Sequence, residues 1–125
     1  MNKISSGLKT LFLVHFVVGL VFGLPLLLIP GIYMGWFGMF VPDVEPYRMV
    51  GAAILAFAAS SWFCYQAAEW DKVKIVVQAE IVWTVLATLA LLYGLLFARQ
   101  PAAEWMNAIL MAGFAVAFIY FYSKQ

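Results

Sequence analysis

The sequence predicts an all-α, integral-membrane four-helix bundle of up-down-up-down connectivity, with an interfacial segment between the first two helices. Three observations point there. First, 66% of the 125 residues are hydrophobic and only 10% carry a charge, against about 25% charged in typical globular chains. A soluble domain of this length buries too little of its chain to hide that much apolar surface, and the mean hydropathy of +0.98 names lipid as the solvent. Second, four apolar runs each reach the ~20 residues a helix needs to cross the hydrocarbon layer. Third, the lysines gather on alternate connections. The whole chain, 1–125, reads as one transmembrane domain.

The first run extends from Leu8 to Ile29. Lys3 and Lys9 resemble the basic start of a secretory signal, but the apolar stretch is too long. Pro25 and Pro30 also stand where a small-residue cleavage site would be needed. The expectation is a retained helix bent near Pro25. Residues Gly31 to Pro46 follow, too apolar for a solvated loop and too short to span. Their aromatics Tyr33, Trp36, Phe37 and Phe40 suit a segment lying at the headgroups. The second span is Tyr47 to Ala68, the third Ile75 to Ala98 and the fourth Ala103 to Tyr122. Glu69-Trp70-Asp71-Lys72 and Arg99-Gln100-Pro101 read as tight turns, which favour antiparallel neighbours. No run alternates as a barrel strand would.

Placing the N-terminus in the cytoplasm collects Lys3, Lys9, Lys72, Lys74 and Lys124 on that side, leaving Arg48 and Arg99 opposite. The expected location is therefore the cell membrane, multi-pass, with both termini cytoplasmic. The lipid bilayer is the first expected partner. A small-molecule or lipid ligand, a second copy of the chain and a larger membrane complex all stay open as further partners. Nucleic acid is excluded, because a formal net charge of +1 provides no basic field.

Small residues mark where backbones approach in lipid. Gly19 and Gly23 form a GxxxG in the first span; Arg48, Ala52, Ala56, Ser60, Cys64 and Ala68 form a four-residue series in the second; Ala108, Ala112 and Ala115 recur in the fourth. Polar groups at membrane depth are costlier, an ionised acidic side chain about 2.5–3.5 kcal/mol at mid-membrane, and so more informative. His15 lies six residues past Lys9 and Glu80 six past Lys74, each about 9 Å along its helix. His15 shares a face with Gly19 and Gly23, and Glu80 with Thr84 and Thr88. Ser60, Ser61, Cys64, Gln66, Trp62 and Trp83 fall in the same inner half. The candidate binding set is His15, Glu80, Thr84, Ser60, Cys64 and Trp83, lining a small polar chamber open to the cytoplasm. The competing reading is a His15–Glu80 bond that only pins two helices. At the other end, Arg48 is expected to close the bundle through an ion pair with Glu104 or Asn107.

Known chemical signatures are missing. One cysteine gives neither an internal disulfide nor a thiol-pair redox centre, and one histidine gives no bis-histidine haem. No closed zinc set, phosphate-cradling glycine loop or nucleophile elbow occurs. The expected cofactor and metal content is none, with no catalytic residue assigned. Cys64 and His15 form a nucleophile–base pair only if they touch, and a buried thiol is usually inert.

The stretch PLLLIPGIYMGWFG, followed by YRMVGAAILAFAASSW, resembles small uncharacterised four-helix prokaryotic membrane proteins near the DoxX-like families. The shared elements are a proline-to-tryptophan/glycine connector and an Arg-x-x-Gly-Ala-Ala entry to the second span, here Arg48, Gly51, Ala52 and Ala53. The resemblance implies a four-helix bundle and transfers no activity. The favoured function is a non-enzymatic membrane protein that binds or passes a small molecule or proton through an inner-half cavity. Its rivals are an accessory subunit or lipid-contact protein whose polar groups only hold helices, and a small membrane enzyme using Glu80 and His15 as acid and base.

Overall fold

A computed structural model describes residues 2–125. It contains five helices: α1 (Ser6–Leu28), α2 (Pro30–Trp36), α3 (Glu45–Gln66), α4 (Trp70–Phe97) and α5 (Glu104–Lys124). Among the described residues no strand forms, only an isolated antiparallel bridge between Lys3 and Glu69. All but α2 are long and apolar enough to cross a membrane.

The helix ends follow local chemistry. Ser5 caps α1, its hydroxyl oxygen accepting from the Leu8 amide at 3.2 Å. Pro25 sits inside α1, and the helix ends where Ile29 turns out of helical geometry (φ −135°). Pro30 then opens α2 at a position where its missing N–H is not needed. Gly38, at φ +77°, closes α2 with a Schellman pattern: Met39 N–H reaches Met34 O at 3.1 Å and Gly38 N–H reaches Gly35 O at 3.0 Å. Part of the expected interfacial segment is therefore a capped helix, and its aromatics divide. Tyr33 and Phe37 are buried with Met34 against Leu26, whereas Trp36 and Phe40 are 66% and 92% exposed.

The third span differs most from expectation. α4 starts at Trp70 rather than Ile75, because Trp70 and Val73 are buried in the core and Trp70 packs edge-on against Tyr122 at 5.6 Å. The charges Asp71, Lys72 and Lys74 thus ride on the first turns of α4, and the connection shrinks to Ala67–Glu69. That connection is tied down. Ile4 N–H donates to Ala68 O at 3.1 Å, Trp70 N–H to Asn2 O at 2.9 Å, and the Gln125 amide to Lys3 O at 3.2 Å.

α1 packs along α3 and α4 along α5, with lighter contacts joining the two pairs. The α1–α3 seam uses small residues. A Cβ added at Gly51 would lie 2.7 Å from the Leu27 amide nitrogen and 2.9 Å from the Leu26 carbonyl carbon; one at Gly19 would lie 2.7 Å from the Ala58 Cβ. The buried residues of α3 are Gly51, Ala58, Ser61 and Cys64; of the expected series Cys64 is among them, while Ala52 and Ala56 are exposed. Steps of four drift about 40° per step around a 3.6-residue helix, so that series cannot hold one face. Leu8, Phe12, Cys64, Val73, Val77, Phe114 and Phe118 fill the core near the termini.

Replacing Gly51 with alanine forces two backbones apart and should cost about 1–3 kcal/mol. Gly113→Ala, where an added Cβ meets nothing within 4 Å, should cost no stability, since alanine is the better helix former. Thermal unfolding of both variants in detergent checks the contrast.

Candidate functional site

The expected polar residues meet where the helix pairs join. His15 on α1 is 6% exposed and Glu80 on α4 is 0% exposed. His15 Nε2 lies 3.4 Å from Glu80 Oε2, close enough for attraction but longer than the 2.7–3.2 Å typical of a hydrogen bond. His15 Nδ1 lies 2.7 Å from Ser61 Oγ on α3. With the ring hydrogen on Nε2, the Ser61 hydroxyl donates to Nδ1 and Nε2–H faces the carboxyl group. Phe114 and Phe118 hold the imidazole edge-on, at centroid distances of 4.8 and 5.5 Å. Among the described residues neither Glu80 oxygen has a hydrogen-bond partner, an unusual state for a buried carboxyl.

Other members of the expected set do different work. Thr84 is fully buried, but its hydroxyl donates to the Glu80 backbone carbonyl at 2.7 Å, within its own helix. Ser60 donates to Phe57 O at 2.7 Å. Cys64 belongs to the apolar core near the termini. Trp83 stacks on Phe57, rings 5.3 Å apart and 9° from parallel. The serine that meets His15 is thus Ser61, a residue the candidate set passed over. Ser61 lies three residues after Ala58, the contact of Gly19, and so on the face of α3 turned to α1; Ser60 is rotated by about 100°.

The outer ion pair is corrected. Arg48 does not pair with Glu104 or Asn107. Its Nη1 donates to Leu27 O at 2.9 Å and its Nε to Glu45 Oε1 at 3.1 Å. The turn at Ile29 and the proline after it leave the last carbonyls of α1 without amide partners. The Gly51 approach brings Arg48, one turn earlier on α3, beside one of them, and a charge-assisted bond forms. Glu104 instead accepts from the Asn107 amide at 3.0 Å through Oε2.

The cavity also lies elsewhere than expected. A space of about 530 Å³ runs from His15 toward α2, in the half of the bundle opposite the termini. In the half near the termini the aromatic and aliphatic core around Phe12 and Phe118 fills the centre, and a smaller space of about 320 Å³ lies between α3 and α4 beside Ser60. The cavity walls are mainly apolar: Phe22, Ile54, Trp83, Leu91, Met111 and Phe114, among others. Polar groups stand at its two ends. His15 forms the floor, and Tyr33, Gln100, Glu104 and Asn107 stand near α2. Burial, reinforced by the negative charge of Glu104, pushes the Tyr33 phenol up to about 12, so it remains a hydrogen-bond donor at neutral pH. Among the described residues no group of three or more His, Cys, Asp or Glu side chains is placed to hold a metal ion.

Comparisons with known protein families, with characterised proteins and with solved structures found no match.

Ser61→Ala removes the partner of His15 and should cost about 1 kcal/mol. Ser60→Ala leaves the His15 contact in place and should cost less. Equal losses for the two variants in detergent unfolding would contradict the assignment of Ser61.

Proposed function

We propose that this chain is a multi-pass protein of the cell membrane, without catalytic activity, that takes a small, largely apolar molecule into the space between its helices. The four long helices cross up-down-up-down, with both termini cytoplasmic and α2 at the opposite face. The observation that carries this reading is the cavity: about 530 Å³, within the 300–1,000 Å³ of small-molecule sites, and apolar with a few polar groups at its ends, as such sites usually are. A bundle whose polar residues served only to hold helices together would have no need of that space. The His15–Ser61–Glu80 junction forms the floor, joining α1, α3 and α4 beneath the ligand.

The topology has a direct test. With Cys64 replaced, single cysteines placed at Lys72 and at Asp43 should label oppositely with an impermeant reagent added to intact cells. Position 43 should react and position 72 should not; the reverse pattern overturns the orientation.

Ligand uptake has its own test. Ala87 lines the cavity, and Ala87→Phe fills part of it. Native mass spectrometry of gently extracted protein should find a small-molecule adduct on the parent chain that Ala87→Phe loses while staying folded. Identical spectra for the two proteins would instead favour an accessory role in which the polar groups only pin helices.

A further inference from the structure

The end of the cavity beneath α2 has a charge character of its own. Glu104 lines the cavity, yet it is only 8% exposed. Its Oε2 is taken by Asn107; among the described residues Oε1 has no protein hydrogen bond, nor do the Tyr33 hydroxyl and the Gln100 side-chain amide. Among the described residues no lysine or arginine lines the space. Arg48, close in sequence to this end, is committed to Leu27 O and Glu45. His15 is the sole basic side chain in the lining, and its two nitrogens face Ser61 and Glu80.

An acidic residue in the first turn of a helix is commonplace, because the helix N-terminus favours negative charge. Such residues ordinarily sit in water. Glu104 is instead more than nine-tenths buried and faces a space walled by Tyr33, Phe37, Trp83 and Phe114. A neutral apolar ligand would displace water from Oε1 and leave it unanswered. An anion would be repelled. A positive charge is attracted by the carboxylate and by the faces of the rings.

We propose that the ligand of this cavity is a lipophilic organic cation, its charged end against Glu104 and Tyr33 and its apolar body along the aromatic wall toward His15. The inference rests on the uptake reading above and narrows it to one chemical class.

The test compares three probes sharing a phenyl-rich body: tetraphenylphosphonium, tetraphenylborate and neutral triphenylphosphine oxide. Binding is measured by calorimetry on the full chain in phosphatidylcholine nanodiscs, with empty discs subtracted. The phosphonium should bind at least 10-fold more tightly than the borate. Glu104→Gln, which keeps an acceptor for Asn107, should weaken the phosphonium at least 10-fold. Borate binding equal to or tighter than phosphonium overturns the cation inference, as does a Glu104→Gln variant that binds phosphonium unchanged. If Ala87→Phe still abolishes binding in those cases, the uptake reading survives. Should none of the three probes bind the unaltered chain, both proposals fall together. The phosphonium-to-borate ratio of the unaltered protein decides the matter even if Glu104→Gln does not fold.

Discussion

The close approach of α3 to the bent end of α1 sets the geometry of everything else. At Gly51 the two backbones are so near that a single Cβ would strike the Leu26–Leu27 peptide. That contact fixes the rotation and height of α3. Three residues toward the N-terminus it delivers Arg48 to the stranded carbonyl of Leu27; two to three turns onward it delivers Ala58 to Gly19 and Ser61 to His15. One steric fact thus places a cap, a packing line and a polar junction.

The two ends of the bundle are filled differently, and the difference has a cause in side-chain size. Near the termini, Leu8, Phe12, Phe114, Phe118 and Val77 meet at the centre and close it. Toward α2 the lining includes the small residues Gly19, Ala87, Ala90 and Gly94 among the larger apolar walls, and these leave room. α2, held by its proline start and glycine stop, packs on α1 through Tyr33, Met34 and Phe37. The hollow is a consequence of pairing α1 tightly with α3 and α4 with α5 while only a few side chains link the pairs.

Much of this was legible in the residues, and the rest failed for identifiable reasons. The four long helices were visible because apolar length is a one-dimensional property. The meeting of His15 with Glu80 was visible because depth can be counted from the flanking lysines. Ser61 was not chosen over Ser60, since that choice depends on a helix rotation set by Gly51. Arg48 was assigned to Glu104 by charge, whereas a backbone carbonyl freed at the Ile29–Pro30 turn claimed it; nothing in composition marks a stranded acceptor. The cavity is only partly legible from polar residues: of the expected set His15 and Trp83 line it and Ser60 borders a smaller space, because empty space follows from the sizes of apolar residues facing one another across helices.

The length of α4 has a consequence for its surroundings. Its 28 residues measure about 42 Å end to end at 1.5 Å per residue, against about 30 Å of hydrocarbon. Trp70 cannot slide outward to relieve the excess, for it is locked against Tyr122 and its amide is bonded to Asn2. Set in a bilayer, the α4–α5 pair must lean, or carry its charged first turns well into the headgroups. Leaning, unlike the headgroup placement, would make the protein sensitive to bilayer thickness, a thicker membrane holding α4 with less tilt.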